Sequence, residues 1–211
     1  MTRGIQGIRH LVFDIDGTLV KIPVNWSRVL EEVEQVIGYK PQSILPILRK
    51  YYGTPTYEEL NNIIERYEEE ALNNMSILDN SPEIIRRLAE NYNIYMVTMQ
   101  SRKIAEKILE KLGITGIPRK LVSRNNTGFR VDQLRIILED ISDERGSIVF
   151  IGDKVLDMIA AFHVGVKGVM VVRDYFNPRV TGTDDLVEDL ETLGVKIIWS
   201  LGELPGILHM F

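Results

Sequence analysis

The sequence predicts an α/β fold, a doubly wound parallel sheet into which a small all-helical domain is inserted. Three apolar runs of strand length, residues 11–13, 94–97 and 147–151, each lead directly into polar side chains. Such runs are typical of strands buried on both faces of a parallel sheet. Ligands of open parallel sheets bind at the carboxyl ends of the strands. The sequence therefore indicates a site at the edge where these three strands end.

The first run continues into Asp14-Ile15-Asp16-Gly17-Thr18. Residues two apart in an extended chain point to the same face, so Asp14 and Asp16 converge while Ile15 points into apolar packing. Gly17 then permits a sharp turn without a Cβ penalty. An acidic turn without chemistry is the simplest alternative, because Asp and Gly are ordinary turn residues. Two converging carboxylates at a strand end favour metal and phosphate chemistry.

A second acidic pair follows the run 147–151, in the sequence Gly152-Asp153-Lys154-Val155-Leu156-Asp157. If a helix begins near Asp153, then Asp157 lies one turn further along the same face, and the two carboxylates can share one ion. Mg²⁺ binds a few carboxylate oxygens and keeps several waters. Asp153 alone is equally explained as a helix N-cap. With the first acidic pair present, a shared Mg²⁺ site is the simpler interpretation.

The middle run ends in Thr98, at the position that acids occupy in the other two. Gln100 and Ser101 are suited to cap the next helix, which is predicted over residues 102–112. The free amides of its first turn can bind an anion. A threonine at a strand end is usually structural, so Thr98 is a candidate phosphate ligand only together with the two acidic pairs.

Together these residues resemble the haloacid dehalogenase (HAD) superfamily over nearly the whole chain. Its four ordered motifs are Asp-x-Asp-Gly-Thr, a strand-ending Thr or Ser, a basic residue, and Gly-Asp-x-x-x-Asp. The resemblance implies a Rossmann-like core, with residues 196–204 as its closing strand and short helix. Within the superfamily, the chain resembles the phosphatase branch that has a small helical cap, of which phosphoglycolate phosphatases are an example.

The resemblance implies a Mg²⁺-dependent hydrolase of a small-molecule phosphomonoester. Asp14 is then the nucleophile that becomes an aspartyl phosphate, and Asp16 is the acid and base. Thr98 holds the oxygens of the transferring phosphoryl group. The implied Mg²⁺ ligands are the side chains of Asp14 and Asp153 and the backbone carbonyl of Asp16, with Asp157 supporting the waters of the metal.

The third motif departs from the family pattern, which usually has a lysine, often followed by proline, about two dozen residues before the last Gly-Asp. Here that position falls at Arg130. Arginine keeps the charge and its fork suits phosphate oxygens, but it is bulkier than lysine. Lys154, Lys120 and Arg124 are other possible sources of the charge. The structural alternative for Arg130 is an exposed residue at the start of a helix.

The helical insert is predicted over residues 20–79, so that residues 1–19 and 80–211 form the core domain. Three helical patterns separated by glycines fill it: residues 26–37, 42–52 and 57–72. In the family that the chain resembles, an insert at this place is a cap that closes over the active site. A lid of this kind excludes water and favours a small phosphorylated metabolite as substrate. The aromatic residues Trp26, Tyr51 and Tyr52 are expected to pack between the cap helices rather than to line the pocket.

Composition limits the class of protein. The chain has 211 residues, of which 45% are hydrophobic and 26% are charged, as is ordinary for a soluble globular protein. The absence of cysteine excludes disulfides and thiolate metal sites. No basic patch with interleaved aromatics indicates nucleic-acid binding, and no apolar run approaches the ~18 residues of a membrane helix. We expect a cytoplasmic monomer or homodimer that binds neither nucleic acid nor membranes.

Three alternatives stand beside the phosphatase. The dehalogenase branch lacks an acid two residues after the first Asp, so Asp16 argues against it. A phosphomutase shares the core residues and adds acid or base groups from the cap, although no histidine lies within residues 20–79. A non-enzymatic phospho-acceptor or regulatory binding module, like a receiver domain, also has an acidic Mg²⁺ site and a strand-end threonine. Durable phosphorylation of Asp14 would identify this last class.

Overall fold

The computed structural model describes residues 7–142, 145–173 and 184–211. Its central sheet contains six strands: β1 (His10–Phe13), β4 (Asn93–Val97), β5 (Leu121–Val122), β6 (Ile148–Gly152), β7 (Lys167–Val171) and β8 (Lys196–Ile198). Their order is β5-β4-β1-β6-β7-β8, and every pairing is parallel. The predicted parallel α/β fold is therefore confirmed.

The register of the sheet places the three predicted motifs side by side. Phe13 at the end of β1 is paired with Met96 of β4 and with Ile151 of β6. Because parallel strands end at the same edge, the residues after each strand emerge together. The two acidic pairs and Thr98 therefore meet at one edge of the sheet.

Helices cover both faces of the sheet. In the described part of the core they are α4 (Ser81–Ala89), α5 (Arg102–Lys111), α6 (Arg130–Leu138), α7 (Val155–Val164), α8 (Asp184–Thr192) and α9 (Leu204–Leu208). Leu11 and Phe13 pack in one hydrophobic cluster with α4 and α5, whereas Val12 packs in another with α6 and α7. This alternation is that of a strand buried on both faces, as the unbroken apolar run predicts. No helix within the described ranges has the length and apolar content needed to cross a bilayer.

The predicted insert contains α1 (Trp26–Ile37), α2 (Ile44–Tyr51) and α3 (Pro55–Ala71), which share a small core of their own. Asn25 accepts a hydrogen bond from Arg28 N at the start of α1, and Gly38 ends that helix at a φ of 78°. Two short strands, β2 (Val20–Lys21) and β3 (Ser76–Ile77), pair antiparallel where the chain leaves and re-enters the core. We refer to residues 20–79 as the cap; the division into two domains stays a prediction.

Candidate active site

The turn after β1 holds two carboxylates in different environments. Asp14 N donates to Ile151 O at 2.9 Å, which extends the sheet by one residue and buries the Asp14 side chain. Gly17 then adopts a φ of 92°, a conformation that side chains other than glycine rarely tolerate. The chain turns back here, so that Asp16 Oδ1 accepts a hydrogen bond from Ile22 N at 3.0 Å. Asp16 thus lies between the end of the sheet and the base of the cap.

Three buried carboxylates converge at the strand ends. One oxygen each of Asp14, Asp153 and Asp157 lies within 4.8 Å of the other two. The helix α7 begins at Val155, two residues after Asp153, and Asp157 in its first turn accepts a weak hydrogen bond from Lys154 N at 3.4 Å. Both carboxylates nevertheless face the same point.

The donor set fits Mg²⁺. Three carboxylates in one buried cluster repel one another, and a divalent cation bound to them reduces this repulsion. Asp14 Oδ2 is buried and has no hydrogen-bond partner. Hard oxygen donors with an unused lone pair are what this ion takes. Asp14, Asp153 and Asp157 can therefore hold it; the side chain of Asp16 does not belong to the cluster, which leaves its backbone carbonyl as the predicted ligand.

Burial shifts the acid–base behaviour of these groups. Desolvation raises the pKa of Asp153 to about 8, against the opposing charge of Lys154 and with the support of the neighbouring carboxylates. The pKa of Asp157 is raised for the same first reason, although Arg130 opposes it. Desolvation also raises the pKa of Asp16 to about 6, against Lys154 and the hydrogen bond from Ile22. A carboxyl group that titrates near neutrality is suited to give and take protons.

Arg130 pairs with two of the three carboxylates, those of Asp14 and Asp157. It is the first residue of α6, and its guanidinium donates from Nη2 to Asp14 Oδ1 at 2.5 Å and from Nε to Asp157 Oδ1 at 2.9 Å. Nη1 donates to Gln133 Oε1 at 2.8 Å. Only 8% of Arg130 is exposed, so its interpretation as an exposed helix-start residue is wrong.

The other candidate cations have different positions. Lys120 pairs with Asp140 at 2.8 Å and Arg124 pairs with Glu68 at 2.6 Å, so both are engaged away from the acidic cluster. Burial disfavours the charge of Lys154, but the surrounding carboxylates outweigh it and raise its pKa. Lys154 is therefore a second positive charge beside the cluster.

Thr98 lies at the same edge and is fully buried. Its hydroxyl is hydrogen-bonded to the Gln100 side chain and accepts from Gln100 N at 3.2 Å. Ser101 caps α5 by accepting from Ile104 N at 3.3 Å, as predicted. Gln133 was not identified from the sequence as a site residue. Its Nε2 donates a hydrogen bond to Thr98 O at 2.8 Å, and its Oε1 accepts one from Arg130. Its position three residues after Arg130 in a helix is the signal that could have identified it.

A cavity of about 350 Å³ separates this edge from the cap. Asp16, Arg130, Lys154 and Asp157 line it on the core side. All three cap helices contribute to the opposite wall. Trp26 is part of that wall, so the expectation that it only packs between cap helices is wrong.

A buried ion pair joins the cap to the core. Arg124, in the loop after β5, donates from Nη1 and Nη2 to both oxygens of Glu68 on α3, at 2.6 and 2.9 Å. Its Nε donates to Asn61 Oδ1 at 2.7 Å and Nη1 also to Met99 O at 2.8 Å. The hydroxyl of Tyr57 donates to Arg124 O at 2.7 Å. These contacts hold the cap over the strand ends.

The fold and the site have the features of HAD-like hydrolases. These are a parallel α/β core, a helical insert after the first strand, and acids clustered at the strand ends. Residues 11–171 match the sequence model of the haloacid dehalogenase-like hydrolases, and the chain belongs to that family. No protein with curated annotation matches it by sequence.

Solved structures agree on the fold. A HAD-like family hydrolase of Streptococcus pneumoniae superposes with a TM-score of 0.67 at 17% identity, covering 94% of this chain and 97% of that one. A HAD hydrolase of Bacillus subtilis bound to magnesium gives 0.63 at 16% identity, covering 97% and 100%. A predicted phosphoglycolate phosphatase of Haemophilus somnus gives 0.62 at 17%, covering 97% and 99%. At such identities the likeness shows the fold alone.

Proposed function

We propose that this protein is a Mg²⁺-dependent hydrolase of a small phosphomonoester, with Asp14 as the nucleophile. The proposal depends mainly on how the two oxygens of the Asp14 carboxylate are bonded. Arg130 holds one of its oxygens, and the other is buried without a partner. Arg130 also lines the cavity, so the same side chain contacts the nucleophile and faces the space for substrate.

In the proposed reaction an oxygen of Asp14 attacks phosphorus, and the bond from phosphorus to the ester oxygen of the leaving group breaks. Asp16 donates its proton to that ester oxygen, so an alcohol departs. Asp16 then accepts a proton from water while the water oxygen attacks the aspartyl phosphate. Inorganic phosphate and the free Asp14 carboxylate result. A pKa of about 6 keeps both forms of Asp16 accessible near neutral pH.

The charges around Asp14 serve the transferring phosphoryl group. Arg130 offers a fork of donors to anionic oxygens, and Lys154 adds a second positive charge. In the proposed reaction, Thr98 holds a phosphoryl oxygen after its hydroxyl exchanges the Gln100 contact for the substrate. Mg²⁺ held by Asp14 and Asp153, with the Asp16 carbonyl and Asp157 in support, would let an anionic carboxylate approach an anionic phosphate.

The comparisons support this proposal without extending to a substrate. The Bacillus subtilis structure is bound to magnesium, and the Haemophilus somnus protein is a predicted phosphoglycolate phosphatase. Both share the fold of this chain. The limited size of the cavity beneath the cap, about 350 Å³, supports a small phosphorylated metabolite over a macromolecular substrate.

The test is phosphate release from a panel of small phosphomonoesters, with Mg²⁺ and with EDTA, by wild type and Asp14→Asn. We expect release that requires both the metal and Asp14. Asp189→Asn, at an exposed position on α8, is the control and should retain full activity. Wild type that releases no phosphate from any compound would contradict the proposal. Transfer of the phosphate to another position of the substrate would then favour a phosphomutase. Durable phosphorylation of Asp14 would favour a phospho-acceptor.

A further inference from the structure

The cap side of the cavity is mainly apolar. Six apolar side chains of the cap line it: Trp26, Leu30, Ile44, Leu45, Leu48 and Ile64. Met99 and Leu156 extend this surface from the core. The polar cap residues on the same wall are Gln42, Ser43, Arg49 and Glu68, and Glu68 is already paired with Arg124. Few groups on this wall can therefore form hydrogen bonds with a bound leaving group.

This composition disfavours a polyhydroxylated leaving group. Each sugar hydroxyl that leaves water needs a new partner, and leucine and isoleucine side chains offer none. An apolar body of matching size loses no hydrogen bond when it enters the same space. The wall therefore selects against sugars by leaving their hydroxyls unsatisfied.

Arg49 differs from the two other arginines around the cavity in having no carboxylate partner among the described residues. Arg130 is bound to Asp14 and Asp157, and Arg124 is bound to Glu68. Arg49 lies on α2, one turn after Leu45, with its guanidinium 5.5 Å from the centre of the Phe129 ring. Within the described residues no carboxylate pairs with it. Its charge is available to a ligand.

We infer that the leaving group of the substrate is a compact apolar body, aromatic in its simplest form, which carries one carboxylate that Arg49 binds. This inference rests on the proposed phosphatase activity. A single guanidinium matches the charge and geometry of one carboxylate, whose two oxygens accept its two parallel N–H donors. A second phosphate group would carry more charge than a single guanidinium can balance. Trp26 adds a flat surface on the same wall for an aromatic ring.

Three substrates test the apolar body and the carboxylate separately. They are phenyl phosphate, 4-carboxyphenyl phosphate and glucose 6-phosphate, each assayed with saturating Mg²⁺. We expect kcat/KM for 4-carboxyphenyl phosphate to exceed that for phenyl phosphate by about tenfold or more, because a charge-assisted hydrogen bond is gained. Glucose 6-phosphate should be slower than phenyl phosphate by on the order of 100-fold.

Arg49→Gln removes the charge that the inference requires. The ratio of kcat/KM between 4-carboxyphenyl and phenyl phosphate should then fall to near one. Lys50→Gln is the matched control. The neighbouring Lys50 is exposed, does not line the cavity, and donates a hydrogen bond from Nζ to Tyr39 OH at 3.3 Å. This variant should keep the wild-type ratio.

A binding measurement separates failure of the inference from failure of the proposed activity. Calorimetry on Asp14→Asn, with and without Arg49→Gln, compares the Kd values of the two aryl phosphates. Tighter binding of 4-carboxyphenyl phosphate that depends on Arg49 supports the inference whether or not phosphate is released. Equal Kd values, or faster turnover of glucose 6-phosphate than of phenyl phosphate, would overturn it and leave the hydrolase standing. Wild type that turns over none of the three would count against the proposed function instead.

Discussion

Arg130 donates from Nη2 to Oδ1 of Asp14 across 2.5 Å, and both side chains are more than nine-tenths buried. Its Nε contacts Asp157 at 2.9 Å, so one guanidinium spans two carboxylates of the acidic cluster. The lysine that the family usually has at this position carries a single nitrogen, and cannot reproduce this fork. The arginine therefore bridges Asp14 and Asp157 as well as supplying charge.

Replacing Arg130 by lysine keeps the charge and removes the fork. We expect kcat/KM for phosphate release to fall about 10- to 100-fold, and Arg130→Gln, which also removes the charge, to lose about 100- to 1000-fold. Steady-state kinetics with a phosphomonoester identified by the panel check this. Arg135→Lys, at an exposed position on the same helix, should change little. Wild-type rates in Arg130→Lys would show that a point charge is sufficient.

Gly152 allows Asp157 to approach the end of β6. A Cβ at this position would lie 2.6 Å from Asp157 Oδ2 and 2.8 Å from its Cβ. We expect Gly152→Ala to displace Asp157 from Arg130, to destabilise the fold by about 1–3 kcal/mol, and to lower kcat/KM by on the order of 100-fold. Urea unfolding and phosphate release measure the two effects. Gly116→Ala, where nothing lies within 4 Å of the added Cβ, is the control. Equal kinetics in both variants would contradict this account.

The Arg124–Glu68 pair is buried between cap and core. Arg124→Met leaves an uncompensated buried carboxylate, and we expect it to lower the free energy of unfolding by about 3–5 kcal/mol. The double variant Arg124→Met, Glu68→Leu should recover most of that loss, because neither charge remains. Urea unfolding monitored by circular dichroism measures both. Arg66→Met breaks the exposed pair with Glu32 and should cost no more than about 1 kcal/mol. A loss in Arg124→Met as small as this control would show that the buried pair does not anchor the cap.

The stability of the metal-free protein should fall as pH rises from 5 to 8. The folded pKa of Asp153 is about 8, against an ordinary value of 3.8, so over this window the folded state holds a proton that the unfolded state has released. Asp16, with a folded pKa of about 6, contributes in the same direction. The lowered pKa values of the surface residues Glu65 and Glu69 contribute stability that is already complete above pH 5.

Urea midpoints in EDTA at pH 5, 6.5 and 8 measure this dependence. Asp153→Asn should show a shallower decline, since it cannot release the proton. Added Mg²⁺ should restore wild type most strongly at pH 8, because the ion replaces the lost proton and binds only the folded state. A wild-type midpoint that rises with pH in EDTA, or a decline just as steep in Asp153→Asn, would contradict the assignment.

Much of the fold follows from local patterns. The helix α1 runs from Trp26 to Ile37, the bounds that its periodicity and the following Gly38 predict. The three strands that precede the motifs, β1, β4 and β6, were predictable to within a residue because a run buried on both faces is apolar throughout. The strands β5 and β7 were not predicted. The helix α7 begins at Val155, within two residues of the start near Asp153 that its sequence suggests.

The sequence by itself determined which acids meet. Asp14 and Asp153 each follow a buried strand, and parallel strands deliver the residues that follow them to one edge whatever else the chain does. Only the tertiary structure decided that Arg130, 116 residues from Asp14, pairs with the Asp14 carboxylate, and that Arg124 is paired with Glu68 instead. Such contacts depend on how helices pack on the sheet and how the cap is placed over it. Residue periodicity reports which face of an element is buried, but carries no information about its distant partner.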